Sequence, residues 1–177
     1  MKNQFRYYKP SDSIVFDSLS KNIIMSNDYA CELKYQGYTF HSVEQMYYWM
    51  LFSKNTKIQN KIMEFSGTSN GFDVRRFCKT QIDKIDKDYM MKKNKCMLKC
   101  IEIKYQQCEE FRTALKESKG KYLVQHIPWD TELGTIWNNQ EHVFVGINAC
   151  GRLLMKVREN AINGLYNDNK DKKEYDK

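Results

Sequence analysis

Residues 42–52, SVEQMYYWMLF, constrain the fold more than any other stretch of this chain. Ser42 followed three positions later by Gln45 is a helix start of the capping-box kind, and Met46, Tyr47, Trp49, Met50, Leu51 and Phe52 carry an apolar run onward from it. Glu44 falls in the first turn of that helix. There the helix dipole favours the ionised carboxylate, so only burial can raise its pKa.

The surrounding segments are short and of mixed type. Ile14 to Phe16 and the YACELKYQGYTF stretch of residues 29–40 read as β-type, with Gly37 turning a small hairpin between residues 33–35 and 38–40. Short helices are expected over residues 59–65, ended by GTSNG (67–71), and from Val74 to Cys78. A long helix over residues 87–107 faces the core with Tyr89, Met90, Met97, Ile101 and then Tyr105 or Cys108. Another helix covers 109–118, a strand 122–126, an irregular loop 128–140, and a last helix 147–161 with Leu153, Leu154, Val157 and Ala161 as its apolar stripe. The fold class is therefore α+β, a helix-dominated single domain with a small β-sheet. Its organisation is an N-terminal arm or early edge strand over 1–13, one domain over 14–163, and a charged, disordered tail over 164–177.

Composition narrows the class. The 177 residues suit one domain, and 41% hydrophobic with 14% aromatic residues is too rich for a disordered chain, despite a mean hydropathy of -0.74. No run of 18 apolar residues occurs, and MKNQFRYYKPSDS has no apolar signal core, so a cytoplasmic protein without a membrane span is expected. Six cysteines in a chain of this size need not staple it and read as reduced thiols. Cys96 and Cys100 share one helical side with Cys108 two turns on, but no CxxC or HxxxH spacing accompanies them; buried small residues, not metal ligands, are the reading.

The formal charge is +7. Lys84, Lys87, Lys92, Lys93, Lys95, Lys99 and Lys104 outnumber Asp86, Asp88 and Glu102, and Arg75, Arg76 and Lys79 precede them. That basic face suits phosphate-rich partners, or is simply a solvated lysine-rich helix.

Chemistry can sit in three places: the polar turn MSND (25–28), the SVEQ helix start with its carboxylate, and PWDTELG (128–134) followed by VGINACGRLLMKVR (145–158). Glu44 and Asp130 are the carboxylate candidates. In this order the elements resemble the NADAR family, also called YbiA-like N-glycosidases, across residues 14–160. Gly146, Asn148, Gly151, Leu154, Met155, Val157 and Arg158 fall at that family's spacings, Ser26 and Asn27 match its Ser-Asn-Phe element, and Lys104-Tyr105 its Lys-Phe pair.

The resemblance implies hydrolysis of an N-glycosidic bond, in an ADP-ribosylated guanine or a ribosyl-phosphate base of the riboflavin-pathway kind. Such cleavage passes through oxocarbenium character that carboxylates stabilise, while a proton donor helps the base to leave. Glu44 and Asp130 would share these roles in an order the residues leave open. Ser26, Asn27 and Asn148 would line the ribose or base with Gly134 and Gly146, and Arg75, Arg76 and Arg158 would meet phosphates. Trp129, Tyr47 and Tyr48 would stack on a purine. No metal or other cofactor is called for; the partners are the ADP-ribose-containing or ribosyl-phosphate substrate and nucleic acid carrying modified guanine.

The chain is a divergent member of that pattern. Leu51 stands where many relatives carry a lysine, with Lys54 a turn further on; Leu133-Gly134 replaces a Trp-Gly pair, and Arg75-Arg76-Phe77-Cys78-Lys79 keeps the charge but not the glycine of a Lys-Arg-x-Gly-Arg element. The alternative is a non-catalytic protein that binds ADP-ribose or an NAD-derived nucleotide as sponge or sensor. A basic nucleic-acid-binding module is a third class, separable by its salt dependence.

Overall fold

The computed structural model describes residues 4–17, 23–66, 70–85, 87–91 and 93–166. Along the chain run β1 (Arg6–Tyr8), β2 (Ser13–Phe16), β3 (Leu33–Tyr35), β4 (Tyr38–Phe40), α1 (Val43–Leu51), α2 (Thr56–Met63) and α3 (Asn70–Lys79). There follow α4 (Lys87–Met91), α5 (Lys93–Gln107), α6 (Glu109–Glu117), β5 (Tyr122–Gln125), β6 (Ile136–Asn138), β7 (Val143–Gly146) and α7 (Ala149–Ile162). The fold is α+β and helix-dominated, as the sequence implies. Of the tail expected over 164–177, residues 167–177 lie outside the described residues, as does Lys92 between α4 and α5. Two compact units divide the chain: Met1–Ser26 with Thr113–Leu165, and Asn27–Arg112 with Tyr166–Lys177.

In the first unit β1, β7 and β6 form an antiparallel sheet in which Tyr7 opposes Val145 and Phe144 opposes Trp137. The strand in residues 1–13 is thus an edge strand. The loop expected over 128–140 contains β6, whose hydrogen bonds come from β7, beyond the reach of local propensity. Separately, β2 and β5 pair in parallel, Ile14 beside Leu123, and α7 packs on β5 through an apolar face that buries Leu153, Leu154 and Val157.

Polar side chains complete this packing. The Asn148 backbone is left-handed (φ 54) at the N-cap of α7, yet its side chain does not cap that helix. Nδ2 donates to the Leu123 carbonyl at 2.9 Å, and Oδ1 accepts the Gln125 N–H at 3.1 Å. Arg158 does not serve its own helix end either: its guanidinium donates to the Ser118 carbonyl at 2.6 Å and the Lys121 carbonyl at 2.9 Å. It thereby satisfies carbonyls left over where α6 stops. Gly151 lies so close to the Leu123 carbonyl that a Cβ would not fit.

In the second unit α1 is central. It packs on α2, α3, α5 and β4, and Val43, Met46, Trp49, Met50, Leu51 and Phe52 are all buried. Ser42 caps it by accepting the Gln45 N–H at 3.1 Å, as expected of the SVEQ start. Gln45 accepts from the His41 N–H and donates to the carbonyls of Ile62 in the last turn of α2 and of Phe65 beyond it. The β3–β4 hairpin turns through Gln36 (φ 50) and Gly37 (φ 75), the two left-handed residues of a type I′ turn.

Asn148→Ala leaves the Leu123 carbonyl and the Gln125 N–H buried without these partners, an expected loss of about 2–3 kcal/mol. A denaturant titration reads it; an unchanged midpoint and slope would show that water replaces the amide.

Candidate active site

The Glu44 carboxylate is placed by backbone before any side chain acts. Its N–H, one of the free donors at the start of α1, donates to the Asn27 carbonyl at 3.0 Å. This ties the MSND turn to the head of α1 and sets Asp28 beside Glu44. Arg75 of α3 then binds both acids: Nε donates to Glu44 Oε1 at 2.7 Å, and one terminal nitrogen donates to both oxygens of Asp28 at 3.0 Å. The Glu44 side chain is 7% exposed and that of Asp28 15%.

One cation thus serves two carboxylates, of which Glu44 is the more buried. Burial raises the Glu44 pKa above the ordinary 4.5; Asp28 adds to the rise, while Arg75 and then Lys79 oppose it. Glu44 Oε2 has no protein donor among the described residues. Tyr48, one turn along α1, is pushed up by burial and then by Glu44, and stays a proton-bearing phenol. Burial with the Glu44 charge likewise pushes the Cys78 thiol up to about 12.

Asp28 and Gly71 were not singled out as site residues by sequence. Their signal was present, in the last residue of MSND and the last of GTSNG. A Cβ on Gly71 would strike the Asp28 carboxylate and come within 3.0 Å of its Cα, so the seat of Asp28 needs a glycine. Arg75, expected at phosphates, is committed to the two carboxylates, while Arg76 is exposed and pairs with Asp73 at 3.2 Å. Tyr47 and Tyr48 stand edge to face, 5.4 Å between centroids. Asn27 donates from Nδ2 to the Met97 sulfur at 3.4 Å. Leu51, where the resemblance expects a lysine, is buried in the core.

The remaining expected site residues belong to the first unit. Ser26 is fully buried, and Trp129 is largely exposed. Asp130 shapes its own loop: Oδ1 accepts the N–H groups of Glu132 at 2.8 Å and Leu133 at 2.9 Å, an Asx turn. The Gly134 carbonyl accepts the Asn148 N–H at 3.0 Å, and a Cβ on Gly134 would come within 2.8 Å of the Gln125 carbonyl. Gly146 likewise lies against the Gly134 carbonyl. Asn148 and Arg158 make the backbone contacts described above. Lys104, counted in the basic face from sequence, is buried.

These features define a helix-dominated α+β fold with a buried glutamate and a partly buried aspartate bridged by one arginine. The chain belongs to the NADAR family: the family's domain model, described as "NADAR domain", matches residues 5–161. The solution NMR structure of the Escherichia coli protein YbiA is similar in fold, with a TM-score of 0.69 and 22% identity over 90% of this chain and 95% of that one. No curated protein matches the chain. Among the described residues no helix is long and apolar enough to cross a membrane.

Removing Arg75 leaves the Glu44 and Asp28 charges buried without their cation, so Arg75→Met should cost about 3–5 kcal/mol near neutral pH. Because the folded pKa of Glu44 lies above 4.5, its neutral form is favoured in the fold, and stability falls as pH rises past that value. Without Arg75 the folded pKa climbs further, so the deficit should be smallest near pH 5 (about) and grow towards about pH 8. Equal deficits by denaturant titration at both values would separate Glu44 from the effect.

Proposed function

We propose that this protein is an N-glycosidase whose proton-handling group is Glu44, acting on ADP-ribosylated guanine or a related ribosyl-phosphate base. Membership of the NADAR family supports an activity of the N-glycosidase type. The observation that carries the assignment to this chain is the Glu44–Arg75–Asp28 arrangement, in which one oxygen of a buried, raised-pKa carboxyl is held and the other has no protein donor among the described residues. A buried carboxyl whose pKa lies above the ordinary 4.5 is suited to deliver a proton to a leaving base.

Cleavage breaks the bond between the anomeric carbon and the base nitrogen. The Glu44 carboxyl gives its proton to the departing base, and the carboxylate that remains faces the positive charge developing on the ribose. Arg75 holds that carboxylate in place and limits the cost of its charge. Water adds to the anomeric carbon and returns a proton to Glu44. The exposed Arg76 is available to a phosphate, and Tyr47 and Tyr48 to the flat base. The second reading, binding of ADP-ribose or an NAD-derived nucleotide without turnover, is favoured by Leu51, which brings no amine where the family pattern has one.

The deciding assay pairs calorimetric binding of ADP-ribose with chromatographic detection of base freed from guanine-linked ADP-ribose. Glu44→Gln should leave binding nearly intact and lower turnover at least about a hundredfold; unchanged turnover would remove Glu44 from the mechanism. Binding without release in the wild type would favour the sponge or sensor.

Asp130→Asn retains the turn-forming oxygen and removes only the charge. A fall in turnover at unchanged stability would assign that charge to the reaction, and full activity would leave Asp130 a turn residue.

A further inference from the structure

A cavity of about 300 Å³ lies within Asn27–Arg112, and the reaction proposed above does not use it. Tyr35 and Gln36 at the β3–β4 turn, Trp49 and Met50 of α1, and Lys95 and Lys99 of α5 line it. Trp49 and Met50 stand five and six residues beyond Glu44. At about 100° per residue they bracket the face of α1 opposite that carboxylate. The cavity shares no residue with the Glu44–Arg75–Asp28 arrangement.

Its walls are held by contacts of their own. The Trp49 indole packs 5.1 Å from the Tyr38 ring centroid and 5.4 Å from that of Phe40, and the Trp49 carbonyl accepts from Gln59 Nε2 at 3.1 Å. The Met50 sulfur accepts from the Cys100 thiol at 3.6 Å, which joins α1 to α5. Gln107, at the end of α5, bonds both backbone groups of Lys34 at 2.6 and 2.9 Å and so fixes β3 beside the same helix. Trp49 and Met50 are buried, whereas Gln36 and Lys95 are exposed, so an apolar floor lies under a polar rim.

Charge gives the occupant its sign. Lys95 and Lys99 stand one helical turn apart, and among the described residues no carboxylate lines the cavity. The first turn of α5 carries Lys93 and Lys95 and no acid, although the positive end of a helix dipole favours acids there. A bound anion answers both ammoniums and the dipole together.

We propose that this cavity is a second ligand site, which takes a single flat ring carrying a phosphate monoester. The ring lies against Tyr35, Trp49 and Met50, since aromatic side chains stack on flat rings whatever their substituents. The phosphate meets Lys95 and Lys99, which bind it as point charges without demanding one angle of approach. Two ammoniums match the double charge of a phosphate monoester better than the single charge of a carboxylate. The volume sits at the lower end of ligand pockets, which span about 300–1,000 Å³. It therefore suits a molecule of mononucleotide size and is too small for the whole of ADP-ribose.

The test titrates the isotope-labelled full chain with adenosine monophosphate (AMP) and follows its amide and indole signals by NMR, with adenosine and inorganic phosphate as separate probes. AMP should shift the signals of Gln36, Lys95, Lys99 and the Trp49 indole saturably, and each half of the molecule alone should bind there more weakly. Lys95→Gln combined with Lys99→Gln should weaken AMP binding about tenfold, the sum expected of two partly exposed ion pairs. Circular dichroism confirms the fold of that variant. Shifts confined to Glu44, Asp28 and Arg75, an affinity unchanged in the double variant, or inorganic phosphate binding as tightly as AMP would each overturn the proposal. So would the absence of any saturable shift at millimolar AMP. Turnover plays no part in this readout, so a failed glycosidase assay would bear on Glu44 and not on this cavity.

Discussion

A carboxylate buried at the head of a central helix needs a cation, and Arg75 is the cation that makes Glu44 tolerable here. Burying an ion unpaired costs several kcal/mol, more than most single contacts return. The chain meets this by placing Asp28, Glu44 and Arg75 on three different elements, with the Asn27 carbonyl joining the first two through the Glu44 N–H. Two acids share one guanidinium, which keeps the arginine charged and leaves Glu44 with a raised pKa. Apolar residues at these positions would avoid the cost of burying charge.

Elsewhere long polar side chains replace missing backbone partners. Asn148 spans a carbonyl and an N–H of β5, Arg158 collects carbonyls after α6, and Gln107 both accepts from and donates to the Lys34 backbone at the outer edge of β3. Short strands leave many main-chain groups unpaired, and each buried one must find a partner. Asparagine, arginine and glutamine in these roles look like ligand-binding residues in a sequence. The glycines Gly134, Gly146 and Gly151 have an equally structural account, since neighbouring backbone occupies the space a Cβ would take.

Charge that cannot reach water also shapes the surroundings of Lys104. Its ammonium is held between the Tyr29 and Phe111 rings, and burial lowers its pKa to about 8. Asp28 raises the pKa of both Glu44 and Lys104.

Where the signal is local, the sequence by itself determined the outcome. The Ser42–Gln45 cap of α1, the hairpin around Gly37 and the apolar stripe of α7 all depend on residues a few positions apart, whose backbone preferences and periodicity act without help from the rest of the chain. Glu44 was legible as a carboxylate at a helix start, and so was burial as the one cause able to raise its pKa. Packing between distant segments was needed to show that Arg75 pairs with Glu44 and Asp28, that Asp28 and Gly71 complete the Glu44 cluster, that β6 exists at all, and that Lys104 leaves the basic face for the core. These depend on which distant segments meet, and a side chain's partner, unlike its helix position, is set by packing between elements that the local pattern does not encode.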